Sequence, residues 1–322
     1  KGKSTTSSLI HQILLKGGKT AILIGNIGTP ALDELSKITK NSLVVFELSC
    51  HQLSHLKISP HIAVILGIFP EHLDYYETFS QYLAAKSAIC KYQNSKDSVI
   101  YYAENKHSSA LASSSLAEKI PIHDKDTLHL DSLKPILIGK MNRLNMAIAI
   151  KVSEIIGINP QVAIAVCRQF NPLPHRLEDL GEYQQIRFIN DSLATVPQAT
   201  IQALDAFKDQ VETLILGGHD RYVDYTPLAR VLLESKVRNL IFFPPVGNII
   251  WELLNKLDAS KAHHFQAFFV TDMKSAIEIV YKHTTKGKIC LLSPGASSFS
   301  NFRDYQDRGN QFKNYVKEQS HS

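Results

Sequence analysis

Cysteine is scarce in this chain and nowhere paired: Cys50, Cys90, Cys167 and Cys290 stand far apart with no C-x-x-C spacing. That disfavours both a zinc site and a disulfide framework, and a reducing cytoplasm is the expected compartment. Long apolar runs are missing as well. No stretch approaches the roughly 20 residues that cross a bilayer, and no basic start, apolar run and cleavage site of the signal-peptide kind is present. Neither membrane insertion nor export is expected. Blocks of one charge sign are absent too. The net charge is +5, but the basic residues are scattered and not interleaved with aromatics, so nucleic acid is not an expected partner. An initiating methionine is also lacking. The sequence opens on Lys1, within what reads as a phosphate loop, and a fragment of a longer protein is expected.

What is present suffices for two domains. A chain of 322 residues, 44% hydrophobic and 20% charged, can bury two ordinary cores. Short apolar runs alternate with amphipathic stretches throughout, the pattern of strands feeding helices in a mainly parallel sheet, so the class is α/β. Strands are expected at Ala21 to Ile24, Leu43 to Phe46, Ile62 to Ile68, Val99 to Tyr102, Ile186 to Ile189, Thr213 to Leu216, Leu240 to Phe243 and Ile289 to Leu292. Asn171-Pro172-Leu173-Pro174 interrupts this alternation, because two prolines so close continue neither a helix nor a central strand. The domain boundary belongs there, giving 1–172 and 173–322. Ser108 to Ser115 reads as a small-residue loop or helix start.

Polar residues collect where strands end. Glu47 follows Val44-Val45-Phe46, Asp191 follows Phe188-Ile189-Asn190, Gly217-Gly218 follow Leu214-Ile215-Leu216, and Ser293 follows Cys290-Leu291-Leu292. Carboxyl ends of strands are the edge at which open α/β sheets bind ligands.

Gly2-Lys3-Ser4-Thr5 opens a helix carrying Leu9, Ile10, Ile13 and Leu14 on one side. It reads as the end of a phosphate-binding loop, with Lys3 on the terminal phosphates and Ser4 on magnesium. The same four residues before a helix also arise by chance. In the helix Phe79 to Ile89, Lys86 continues the face of Phe79, Tyr82 and Leu83 and should be half-buried. Either its stem packs while the ammonium reaches water, or a desolvated Lys86 takes up carbon dioxide and becomes a carbamate ligand for magnesium. His72, in Glu71-His72-Leu73-Asp74 just after the strand, is a magnesium or phosphate ligand or a structural hydrogen-bonder. Glu47 is a metal ligand, or else a helix cap or surface charge; its weight comes from the company of His72 and Lys86.

Together these residues resemble the Mur ligase family over almost the whole chain. Lys1 to Thr6 looks like the tail of that family's G-T-x-G-K-S-T loop, and Glu47-Leu48-Ser49 like its E-x-S magnesium glutamate. Glu71-His72-Leu73-Asp74 looks like its D-H-L/M-D segment, and Ala84-Ala85-Lys86 like its carbamoylated lysine. Gly139 with Asn142 and Asn145 resembles the G-x-x-N-x-x-N helix start whose asparagines face adenine. Leu173-Pro174-His175-Arg176 resembles the L-P-H-R hinge whose arginine reaches the terminal phosphate, and Asn190-Asp191-Ser192 the N-D-S element at the nucleotide. Gly25-Asn26-Ile27-Gly28 and the stretch Ser293 to Asn310 look most like the glutamate-adding members. By that match Thr195, Arg221, Ser298, Phe299 and Tyr305 would hold glutamate, and Asn26 would face the muramoyl substrate. Three positions depart from the pattern: Gly67 for a strand-end asparagine, Met141 for the histidine of the adenine motif, and Leu193 for a lysine after N-D-S. Arg221 reads as the replacement cation, since its fork suits carboxylates; such a pocket also leaves L-glutamate open beside D-glutamate.

The resemblance implies a P-loop-type central ATPase domain followed by a C-terminal Rossmann-like, amino-acid-binding domain, with the N-terminal UDP-binding domain missing. It implies ATP, two magnesium sites and a carbamoylated Lys86. The reaction would join glutamate to UDP-N-acetylmuramoyl-L-alanine through an acyl phosphate, in a monomer acting on small molecules. Arg176, Asp191 and the asparagine pair are expected to face a cleft between the domains. Two rivals stand beside this reading: another amino-acid or folate-glutamating ligase of the same family, and a phosphate-loop nucleotide-binding module without ligase chemistry.

Overall fold

The chain divides immediately before its first clustered proline, into units Lys1–Asn171 and Pro172–Ser322. A computed structural model describes residues 2–27, 29–71, 75–299 and 301–320.

The first unit contains α1 (Lys3–Lys16), β1 (Ala21–Gly25), β2 (Leu43–Glu47), α2 (Cys50–Leu53), β3 (Ile62–Ile65), α3 (Phe79–Ser87), β4 (Ser98–Tyr102), α4 (Lys106–Ser113), β5 (Glu118–Ile122), α5 (Lys140–Ile155) and α6 (Pro160–Gln169). Its strands form parallel ladders, β1 with β2 and β3-β4-β5. Leu9, Ile10, Ile13 and Leu14 are buried along one side of α1, the three-and-four spacing that makes one helix face apolar. That helix packs against β1, β2, α5 and α6. Asn159 caps α6 by accepting from the Gln161 amide at 2.9 Å, with Pro160 in the first turn, where a missing N–H costs nothing.

The second unit contains β6 (Glu178–Tyr183), β7 (Ile186–Asn190), α7 (Pro197–Phe207), β8 (Val211–Gly217), α8 (Thr226–Leu233), β9 (Asn239–Phe243), α9 (Val246–Ala262), β10 (Gln266–Phe269), α10 (Met273–His283), β11 (Ile289–Leu292) and α11 (Tyr305–Gln319). Its sheet runs β10-β9-β8-β11-β7-β6, with β6 antiparallel to β7 and the other pairs parallel. Side chains alternate between two cores, as the period of a strand requires. Leu214, Leu216, Leu240, Phe242 and Leu291 pack with residues of α7, α8 and α9. Ile215, Ile241, Phe243, Cys290 and Leu292 pack with residues of α10 and α11. Burial on both faces explains the continuous apolar runs of these strands.

Three strands lie outside the sequence expectation: β5, β6 and β10. Each is an edge of its sheet. Edge strands carry charge and interruptions that spoil an apolar pattern, here Glu118, Lys119 and Pro121 in β5 and a ladder shift before Gly181 in β6. Strand β3 also stops at Ile65, short of Ile68. Beyond it the backbone is held by side chains: Ser108 Oγ donates to the Leu66 carbonyl at 2.6 Å, and Asn105 donates to the Ile68 carbonyl at 3.1 Å. The Ser108 to Ser115 stretch falls largely in α4, which Asn105 caps.

Candidate active site

Helix α1 begins on Gly2, in a left-handed conformation with φ of 89°. A Cβ there would lie 2.4 Å from Asn145 Oδ1, so both the backbone angle and the available room demand glycine. Lys3 is the first helical residue, and Ser4, Thr5 and Thr6 are buried behind it. No acidic residue occupies the first turn, and the opening N–H groups of a helix have no intrahelical acceptor, so this end favours an anion. Thr6 Oγ1 donates to Asn145 Oδ1 at 3.1 Å. Asn145 Nδ2 donates to Asn142 Oδ1 at 3.2 Å, and Asn142 Nδ2 to the Ile138 carbonyl at 2.9 Å. The start of α1 and the asparagine pair of α5 are therefore one assembly.

Strand register builds a second feature. Gly25 of β1 lies opposite Glu47, the last residue of β2. A Cβ on Gly25 would sit 2.3 Å from the Glu47 carbonyl oxygen. The next residue, Asn26, donates its backbone N–H to that carbonyl at 2.9 Å and its side-chain amide to Glu47 Oε1 at 3.0 Å. Glu47 is 3% exposed, and its Oε2 is buried with no hydrogen-bond partner among the described residues. A buried acceptor left unmet costs about 1–3 kcal/mol, more when charged. A hard cation satisfies such an oxygen, and magnesium characteristically takes one or two carboxylates and keeps water for the rest. Among the described residues no group of three His, Cys, Asp or Glu converges. His72 lies outside the described residues.

Lys86 is half-buried near the end of α3, with Nζ 4.6 Å from the centroid of the Tyr82 ring. Tyr82 stacks on Phe79 and meets Tyr76 edge-on, at 5.8 and 5.6 Å. The ammonium thus lies over the face of an aromatic ring, which attracts a cation.

In the second unit the polar residues line one edge of the sheet. Asp191 follows β7 and is buried. Its Oδ1 accepts from the Leu177 amide at 3.2 Å and its Oδ2 from Ser293 Oγ at 2.9 Å. Thr195 is half-buried in the loop leading to α7. Ser298 is buried in the loop after β11, and Tyr305 opens α11 and accepts from Ser192 Oγ at 2.8 Å through its carbonyl. The Arg221 guanidinium stands 5.9 Å from the ring of Phe299, which is largely exposed. Arg176 is half-buried between His175 and Leu177.

The residue that organises this edge lies within the Ser293 to Asn310 resemblance, where the sequence pattern assigns it no role of its own. Arg308 is fully buried: Nε donates to Ser192 Oγ at 3.1 Å, Nη2 to the Ser192 carbonyl at 2.7 Å, and both Nη atoms to the Ala296 carbonyl at 3.2 Å. It ties the loop after β7 to the loop after β11. Burial pushes its pKa down to about 9 against the pull of Asp191, which leaves it charged at neutral pH. The available signal was positional, since Arg308 shares a helical stripe with Phe312 and Val316, where a cation must be fully hydrogen-bonded.

Comparison with known proteins bears on this arrangement. Residues 1–152 match the Mur ligase middle domain. The UDP-N-acetylmuramoylalanine--D-glutamate ligase of Clostridium kluyveri is 30% identical over 331 residues, spanning 98% of this chain and 72% of that protein. The ligase of the same name from Clostridium tetani is 30% identical over 336 residues, with the same two coverages. The solved structure of MurF ligase from Thermotoga maritima in complex with ADP superimposes with a TM-score of 0.68 at 14% identity, covering 99% of this chain and 79% of that one. Mycobacterium tuberculosis folylpolyglutamate synthase complexed with ADP gives 0.70 at 11%, covering 98% and 88%. At such identities the two structures speak for the fold. The protein is an ATP-dependent amide-bond-forming ligase of two α/β units. It belongs to the Mur ligase family.

His175 supplies a pH-dependent consequence. It is 5% exposed, and its Nδ1 accepts from Asn190 Nδ2 at 2.9 Å, which fixes a neutral ring with the proton on Nε2. Burial lowers its pKa, with Lys313 adding to the effect and Glu178 opposing it. Because the folded pKa lies below the ordinary value of about 6.5, the unfolded chain binds the extra proton first. Stability from this group is therefore complete above that value and falls as pH drops through it towards the folded pKa. The variant His175→Asn, whose side chain tolerates the left-handed backbone here, should lose less stability than the wild type between pH 7.5 and 5.5 in urea unfolding. Parallel losses in the two proteins would contradict this assignment.

Proposed function

We propose that this protein joins D-glutamate to UDP-N-acetylmuramoyl-L-alanine in peptidoglycan precursor synthesis, through an acyl-phosphate intermediate. The observation that carries the ligase chemistry is the buried Glu47 carboxylate, with Oε1 on Asn26 and Oε2 lacking a donor among the described residues, in the unit that also presents the open start of α1. Choice of substrate rests on similarity to the D-glutamate ligases along 98% of the chain.

The α1 N–H groups and Lys3 would hold the phosphates of ATP, with Ser4 and Glu47 holding magnesium. When bound, magnesium supplies a Lewis acid that neutralises phosphate charge. Asn142 and Asn145 would meet the adenine end, and Asp191 the ribose or the metal's water shell. Lys3 and Arg176 would draw charge from the γ-phosphate, so that the substrate carboxylate, itself an anion, can attack phosphorus while ADP leaves. The glutamate amine then attacks the acyl carbon, phosphate departs, and the amine proton passes to solvent or base. Thr195, Arg221, Ser298, Phe299 and Tyr305 would hold the amino acid. Arg221 is the cation available to a glutamate carboxylate where Leu193 replaces lysine, and Phe299 beneath its guanidinium orients the fork. Asn26, already committed to Glu47, would link the muramoyl substrate to the metal site.

Lys86 would act as a carbamate: its neutral amine adds to carbon dioxide, a C–N bond forms and one proton is released, giving a carboxylate-like ligand. The reading rests on the match of Ala84-Ala85-Lys86 to the family's carbamoylated lysine, and carbamate formation has to overcome the attraction of the Tyr82 ring for the ammonium. Carbon-13 bicarbonate should give a carbamate resonance that Lys86→Ala lacks, and the substitution should lower turnover by more than about 100-fold, the scale for losing one charge-stabilising group. Near-normal turnover would leave Lys86 a packed cation only.

Substrate choice is tested with the protein at its natural length, supplied with ATP, magnesium and UDP-N-acetylmuramoyl-L-alanine, and either D- or L-glutamate. Mass spectrometry should find the amide product with the D isomer, at least about 10-fold faster than with the L isomer, within the range a reshaped pocket resolves. Preference for L-glutamate, or for another amino acid, would overturn the specificity while leaving the ligase chemistry intact.

A further inference from the structure

Arg176 sits in an unusual backbone setting. Its neighbours His175 and Leu177 have φ of 63° and 45°, left-handed values that bulky side chains adopt only when the surroundings enforce them. The enforcement is visible. The N–H groups of His175, Arg176 and Leu177 are donated to Glu178 Oε2 at 2.9 Å, the Leu173 carbonyl at 3.1 Å and Asp191 Oδ1 at 3.2 Å. The His175 carbonyl accepts from the Leu193 amide at 3.1 Å.

One of these restraints traces back to α11, which also makes room for the His175 ring. Glu178 Oε1 accepts from Lys313 Nζ at 2.8 Å, across 135 residues of sequence, while its Oε2 takes the His175 amide and Asn190 Nδ2, the latter at 3.0 Å. One helical turn before Lys313 stands Gly309, where a Cβ would lie 2.2 Å from His175 Nδ1. Positions 309 and 313 are on one face of the helix. Glycine makes room for the His175 ring, and lysine grips the carboxylate that holds the His175 backbone. Both side chains of the pair are about three-quarters buried, at 23% and 22% exposure, so water screens this ion pair less than an exposed one.

We infer that Lys313 is a positioning residue for Arg176: acting through Glu178, it clamps the Pro174–Leu177 backbone in the conformation that aims the guanidinium. This rests on the proposed role of Arg176 at the phosphates. A merely stabilising ion pair would not have to converge with a backbone-clearing glycine on the strained residue next to that arginine. The clamp changes how Arg176 is presented, not whether ATP binds or the second unit folds.

The experiment measures phosphate release by the protein at its natural length, with ATP, UDP-N-acetylmuramoyl-L-alanine and D-glutamate, for Arg176→Ala, Lys313→Met, Lys313→Arg and the Arg176→Ala/Lys313→Met double variant. Lys313→Met should lower kcat by about 10-fold or more, the penalty of slight misplacement of a catalytic group, with KM for ATP changed less. Lys313→Arg should restore most of it. The double variant should be no slower than Arg176→Ala alone, since the clamp acts on the rate through Arg176. Loss in Arg176→Ala with normal kcat in Lys313→Met would overturn the clamp and spare the role of Arg176. Additive losses, or no rescue by arginine, would also overturn it. Normal rates in Arg176→Ala would overturn both readings.

Discussion

Glu47 is 3% exposed at the end of β2, with Asn26 on one carboxylate oxygen and no donor among the described residues on the other. Burying a charge in that way is costly unless something binds it, and the local backbone is shaped to keep it there. The parallel register sets Gly25 against Glu47, the absence of a side chain on Gly25 allows the two backbones to approach, and the turn that follows delivers Asn26 onto the carboxylate. The first unit therefore holds a buried carboxylate oxygen with no donor among the described residues, in the same unit as a helix start whose N–H groups attract phosphate. Opposite preferences in one small domain suit a metal–nucleotide pair better than either partner alone.

The second unit meets a different constraint. Its polar loops leave the sheet at neighbouring strand ends, and polar loops without a scaffold do not hold a small substrate. Here the scaffold is ionic but internal. Arg308 stitches Ser192 to Ala296, Asp191 joins Leu177 to Ser293, and Glu178 joins His175 to Lys313. Each link connects segments far apart in sequence, so the edge is preorganised by the fold and not by any one loop. Preorganisation of this kind matters most for an acyl-transfer reaction, in which a reactive intermediate must meet an amine before water does.

Legibility followed the burial of each element. β8, β9 and β11 are covered on both faces and stand out as apolar runs, whereas β5, β6 and β10 are edges: charge and interruptions mask β5 and β6, and β10 is only the four partly exposed residues Gln266–Phe269. Strand-end polar residues were readable because a carboxylate or glycine pair directly after an apolar run is conspicuous, as at Glu47 and Gly217-Gly218. Partnerships were not. Asn26 reaches Glu47 only through the β1–β2 register, Thr6 reaches Asn145 only through the packing of α1 on α5, and Arg308 looks like an ordinary helical cation until its burial is known. Sequence spacing reports local periodicity, and these contacts are set by tertiary geometry. For the same reason the resemblance supplied names for residues such as Asn26 and Asn145 but not the hydrogen bonds that engage them.

The central claim is that the unmet Glu47 oxygen is a cation site that serves a nucleotide. Manganese, a paramagnetic substitute for magnesium with the same taste for oxygen ligands, tests it directly by electron paramagnetic resonance in the presence of ATP. The wild type should bind manganese with ATP far more tightly than Glu47→Gln, which keeps the shape and the Asn26 contact but lacks the charge. Equal manganese binding by the two proteins would contradict the account.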